Sequence, residues 1–288
     1  MIKVGRFEIS SVVTGHCRLD GGAMFGVVPK VLWQKTEDVD DLNRILLAMR
    51  TLVAVDRKAG QVMLVDTGAG SKWSEEEADR YAVKNQAGAL ESALGKMGLT
   101  MADVTDVVIT HAHFDHCGGL TEWKHEPGGE TRLRFEKARH WVHEKHWEQA
   151  NHPTERDRAS FLARDFEMLD RSGRLEKIRG DDPPGPCDGV RWLLSHGHTP
   201  YLLLPQFEGE GHSLLFTGDM IPTSSHLRPP WVMAYDLFPL TTLEEKQRVM
   251  ARCRDEGLWL AFPHDRNMGG AEIDVSGNKI KVRKPLDL

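Results

Sequence analysis

Three things are scarce in this chain: cysteine, long apolar runs and net positive charge. Four cysteines stand in 288 residues, Cys17, Cys117, Cys187 and Cys253, with no Cys-x-x-Cys pair among them. That spacing excludes a disulfide framework and a thiolate-rich structural zinc site, and fits free thiols in a reducing compartment. No apolar run approaches the roughly 18–20 residues that span a bilayer. Residues 1–6 lack the apolar core of a secretory signal. Both absences predict a cytoplasmic protein with no membrane partner. The 37 Lys and Arg are outnumbered by 43 Asp and Glu, for a formal charge of −6. A nucleic-acid partner would leave a basic footprint, so none is expected. There is no repeat and no low-complexity tract, and the mix of 40% hydrophobic and 28% charged residues is that of a globular chain. Residues 1–288 are read as one domain.

What is present is an alternation of short apolar strands and amphipathic helices. Residues 52–55 and 62–65 flank a turn containing Arg57-Lys58-Ala59-Gly60, the pattern of a hairpin. Leu90, Leu94 and Met97 recur at helical spacing before Gly98, and Leu162, Phe166 and Leu169 do so before Gly173. Thr242 and Glu245 have the spacing of a capping box, opening a helix that Gly257 closes. Residues 126–130 and 180–186 read as loops. His140, His143 and His146 share a spacing that on a helix makes one face, assigned here to surface or interface packing. The expectation is a layered α/β fold.

The informative regularity lies at the C-terminal ends of the strands. Residues 62–65 end at Asp66-Thr67-Gly68, and 107–109 run into Thr110-His111-Ala112-His113-Phe114-Asp115-His116-Cys117. Residues 192–194 reach His196-Gly197-His198, 214–216 reach Thr217-Gly218-Asp219, and 258–262 reach Pro263-His264. Such strand ends are where layered α/β folds place their sites. Imidazoles and carboxylates at the end of a buried strand need partners, and divalent ions such as Zn²⁺ take that donor set. His111, His113, Asp115, His116, His198, Asp219 and His264 make seven candidate ligands, enough for two divalent ions with Asp219 shared. Two such ions can hold a water as hydroxide at neutral pH. That makes Asp115 and Asp219 the catalytic candidates. Cys117 is read as packing the turn, and His196 as either a solvated loop residue or a support for His198.

In this order, the motifs resemble those of the metallo-β-lactamase superfamily. The resemblance implies an αβ/βα sandwich, two facing mixed β-sheets with outer helices. It implies one ion, expected to be zinc, on His111, His113 and His198 and a second on Asp115, His116 and His264. Asp219 would bridge the two, and Asp66 would orient a ligand histidine or cap its turn. Residues 21–30 resemble a loop of the quorum-quenching lactonase, pyridoxolactonase and methyl parathion hydrolase group. There the loop walls the substrate pocket, which makes Met24 and Phe25 the substrate-contact candidates. Residues 162–169 and 228–233 are further wall candidates, with core packing as the alternative. The implied function is opening of a small lactone or ester by a metal-bridging hydroxide. Thioester or phosphotriester cleavage is the alternative, with nucleic-acid processing and iron-dependent oxidation further off. Two departures stand out. Residues 220–223 lack the Tyr that lactonases carry after the bridging Asp, leaving Tyr235 or Tyr201 to substitute, and Tyr201 stands where many relatives have Gly. A homodimer is possible, with Trp33 a contact if exposed.

Overall fold

A computed structural model describes residues 1–277 and 279–288. Its first sheet orders seven strands as Ile2–Val4, Phe7–Asp20, Arg44–Asp56, Gln61–Val65, Asp106–Val108, Arg139–His143 and Leu175–Ile178, with Lys84–Asn85 added beside Phe7–Asp20. The second orders Val190–Ser195, Leu202–Phe207, Leu214–Phe216, Trp259–Ala261, Gly270–Ser276 and Lys279–Pro285. Both are mixed, with parallel pairs at their centres.

Alternation along the central strands builds three apolar layers. Leu52, Ala54, Met63, Val65 and Val108 point inward to meet Trp192, Leu203, Leu214, Phe216 and Ala261 of the opposing sheet. Val53, Val55, Val62, Leu64 and Val107 point outward against Leu90 and Leu94 of helix Ala89–Lys96, and against Trp147 and Phe166. On the far side Leu204, Leu215 and Leu260 pack on Val249, Met250 and Cys253 of helix Pro239–Glu256. The result is helix, sheet, sheet, helix: the expected αβ/βα sandwich.

Several local expectations are corrected. The predicted helix through Leu162, Phe166 and Leu169 is two short ones, Ala163–Phe166 and Leu169–Ser172. The long helix starts at Pro239, suited to a first-turn position, so Thr242 and Glu245 lie inside it and form no capping box. Glu245 turns instead to the strand end, accepting from Ser195 Oγ (2.5 Å) and the His196 amide (2.9 Å). Gly257 does close the helix, at φ 66°. His140 and His143 lie on a strand and are buried, so no shared helix face exists. Trp33 is buried and stacked on Phe25, removing it as a dimer contact.

One buried ion pair pins the segment behind the histidine run. Lys72 Nζ lies 3.1 Å from Asp165 and donates to the carbonyls of Gly118 (2.6 Å) and Thr121 (2.8 Å). Both side chains are almost wholly withdrawn from solvent. Removing one member strands the other charge in the core, which costs about 3–5 kcal/mol. Lys72→Met is therefore expected to lose about that much in urea unfolding, with Lys72→Met/Asp165→Leu recovering part of it.

Candidate metal centre

Two loops are zipped together to make the floor of the site. The Thr67 amide donates to the His116 carbonyl (2.7 Å), and the Gly119 amide to that of Gly68 (2.9 Å). The approach is close enough that a Cβ at Gly119 would lie 2.2 Å from the Thr67 carbonyl oxygen, so only glycine fits. Asp66 ends its strand at φ 57° and accepts from the Thr110 amide and hydroxyl, both at 2.9 Å, and from His116 Nδ1 at 2.8 Å. It caps the turn and orients the imidazole at once.

The seven residues named from the sequence come together from both sheets. Three groups bring ligand atoms within 4.8 Å of one another: His111, His113 and His198; His111, His116 and Asp219; Asp115, His116 and His264. Asp219 faces both halves. Its Oδ1 lies 3.2 Å from His116 Nε2 and 3.1 Å from His264 Nε2, and its Oδ2 lies 3.4 Å from His198 Nε2.

Hydrogen bonds on the outer side of the rings assign the protons. His116 Nδ1 donates to Asp66, His198 Nδ1 to Asp236 Oδ1 (3.0 Å) and His264 Nδ1 to the Ala48 carbonyl (2.8 Å). Thr110 gives its hydroxyl proton to Asp66 and so accepts from His111 Nδ1 (3.0 Å). The inner nitrogens of these four rings are then bare lone pairs. His116 and His264 Nε2 face one another across 3.0 Å, and His198 Nε2 lies 3.2 Å from Nδ1 of His113, whose Nε2 is buried without a hydrogen-bond partner. His111 Nε2 and Asp219 Oδ1 are buried without a hydrogen-bond partner. Facing acceptors repel unless a cation or proton lies between them. The donor set fits divalent metal.

Charge balance agrees. Burial and the neighbouring imidazoles hold His111 well below the usual histidine range, and burial with His198 does the same to His113. Burial alone would raise the Asp219 carboxyl, but His116, His264 and His198 hold it well below the carboxylate range. Burial opposes charge on His116 as well, and there Asp219, Asp115 and Asp66 prevail and raise its proton affinity. Metal and protons compete for these lone pairs.

Apart from Asp66, sequence reasoning missed the outer partners. Asp236 is buried and comes after no strand, so no local pattern marks it. His146, expected in surface or interface packing, is buried. Its Nε2 accepts from the Ala112 amide (2.9 Å) and its Nδ1 donates to the Pro200 carbonyl (3.1 Å), tying two ligand loops together. His196 is half-buried and holds the Tyr201 amide rather than a ligand.

A cavity of about 280 Å³ opens on the centre. Leu19, Met24, Leu47, Phe114 and Met233 are apolar wall, and Asp115, Asp219 and His264 are floor. Met24 is where the sequence placed it. Phe25 is not: it is buried behind the wall, stacked between Trp33 (5.1 Å) and His226 (4.6 Å). Of the other wall candidates only Met233 lines the cavity, while Phe166 and Leu169 are core. Tyr235 lines it too, and burial, then Asp20 and Asp115, push its phenol up to about 12, so it keeps its O–H at neutral pH. Tyr201 lies elsewhere, at φ 58°, stacked on His143 and bonded by Lys145 (2.7 Å).

The supporting residues carry two testable outcomes. Asp236→Asn and Asp66→Asn each weaken the grip on a ligand imidazole, so metal affinity in chelator competition should fall about 10–100-fold. His226 holds the Met24 wall, donating from Nε2 to the Met24 carbonyl (2.8 Å) while Nδ1 accepts from Thr223 Oγ (2.8 Å). Burial, then Lys246, lower its pKa to about 3. The unfolded chain takes up this proton near the ordinary histidine value of about 6.5. The contribution of neutral His226 is thus complete above that value and is lost as pH falls toward 3. Wild type should lose up to about 1.4 kcal/mol per pH unit more than His226→Gln between pH 6 and 4 in urea unfolding.

Residues 51–283 match the family model described as the metallo-beta-lactamase superfamily. A probable metal-dependent hydrolase from Staphylococcus aureus is 29% identical over 99% of this chain and 100% of its own, with a TM-score of 0.85. The dizinc quorum-quenching lactonase AidC, solved with the product N-hexnoyl-L-homoserine, is 18% identical over 99% of this chain and 96% of its own, at a TM-score of 0.77. The hydrolase AbOPH is also 18% identical over 99% and 96%, at 0.76. The last two share the fold. With the matched segment spanning most of the sequence, this chain belongs to the metallo-beta-lactamase superfamily of metal-dependent hydrolases.

Proposed function

We propose that the protein opens a small, partly apolar lactone or ester with two divalent ions, zinc for preference. The observation that carries this reading is the apolar cavity whose floor is a divided ligand set sharing one carboxylate. His111, His113 and His198 would hold one ion, Asp115, His116 and His264 the other, with Asp219 reaching both. When bound, such a pair supplies a water activated near neutral pH and polarises the scissile carbonyl.

The chain's own residues do the rest. The apolar wall around Met24, Leu47 and Met233 takes the aliphatic part of the substrate and excludes bulk water. Tyr235 keeps its phenolic proton and is an O–H donor for the substrate carbonyl. Asp115, on the floor, would take the proton released by the attacking water and pass it to the leaving oxygen. Water adds across the ester bond and a hydroxy acid leaves. The likeness to AidC, itself a lactonase, supports this choice of substrate.

A rate comparison on one metal-analysed preparation tests it, using an acyl-homoserine lactone, a glutathione thioester and an aryl phosphotriester, with Asp219→Ala as the blank. The lactone is expected to have the highest kcat/KM and the blank to be inactive. An inert lactone beside a cleaved thioester or phosphotriester overturns the substrate assignment.

A further inference from the structure

One cationic side chain lines the cavity, and the metal centre does not use it. Arg156 lies between helix Glu144–Asn151 and the turn Arg158–Ser160, on the cavity's exposed side. One end of its guanidinium is committed. Nη2 donates to the Ala234 carbonyl at 2.6 Å and more weakly to that of Asp236 at 3.4 Å, fixing the group against the opposite wall. Among the described residues it forms no ion pair and is the only lysine or arginine lining this cavity. Its neighbour Asp157 is already engaged, accepting from Thr154 Oγ (2.5 Å) and Gln149 Nε2 (2.8 Å). Nε and Nη1 therefore keep free N–H donors.

A permanent cation held by main-chain carbonyls, with N–H donors to spare, recognises an anion. We propose that Arg156 is a specificity-determining residue that binds a carboxylate at the end of the substrate remote from the scissile bond, across an aliphatic spacer. The two floor carboxylates do not compete for it, because they belong to the ligand cluster. Leu47 and Phe114, which line the same cavity, supply apolar wall for the spacer. The substrate class becomes an acidic, partly aliphatic lactone or ester. This inference rests on the hydrolytic reading above.

Calorimetric titration of the zinc-loaded protein tests it without turnover. The probes are hexanamide and adipic acid monoamide, which differ by a terminal carboxylate in place of a methyl. Wild type should bind the acid about tenfold more tightly. Arg156→Gln should bring the ratio close to one, and Arg156→Lys, which keeps the charge, should retain most of it. A wild-type ratio near one overturns the proposal. So does a preference that survives in Arg156→Gln, since the carboxylate then sits on the metals. Failure of the hydrolytic reading shows separately, as absence of turnover in the rate comparison.

Discussion

Everything at this centre depends on one repulsion. The Nε2 atoms of His116 and His264, whose protons have been drawn outward, face one another at about hydrogen-bonding distance. A core does not tolerate such an arrangement without positive charge at its focus. The outward hydrogen bonds to Asp66, Asp236, Thr110 and the Ala48 carbonyl make the arrangement obligatory, because they fix the tautomers of His116, His198, His111 and His264. These supports are drawn from four separate stretches of chain, so the site is a property of the whole fold.

The legible part of the site was the part with local order. The run from His111 to His116 places its donors within six positions, and each remaining ligand sits directly after an apolar strand. The layered fold was legible for the same reason, since strands buried on both faces read as continuous apolar runs. The roles of Asp236, His146 and Arg156 were not legible because each acts through a partner some 34 to 80 positions away. Phe25 and Trp33 were misplaced for a related reason. An aromatic in a loop near a site can face the ligand or stack with its neighbours, and only tertiary contacts decide. Here they stack on each other and on His226. The supposed capping box failed because Pro239 starts the helix earlier, freeing Glu245 to brace the strand end that precedes His198.

The cavity shows how substrate choice separates from chemistry. The floor is built from strand ends and is set by the sandwich. Leu19 and Leu47 bring strand residues to the wall, but much of it comes from segments outside the strands, around Met24, Arg156 and Met233. Those segments can change without disturbing the ligand cluster, provided that the braces survive. His226 is one brace, linking the Met24 turn to the loop after Asp219.

The ligand cluster is also divided along the chain. His111, His113, Asp115 and His116 come from the first sheet's half, and His198, Asp219 and His264 from the second's, with the loop at 180–186 between them. An ion held by both halves is a non-covalent crosslink across the sandwich seam. Cohesion of the two halves is therefore a function of free metal concentration, through the ordinary mass-action rule for a ligand that binds only the folded state. Metal starvation would therefore lower the stability of the folded chain as well as remove its chemistry.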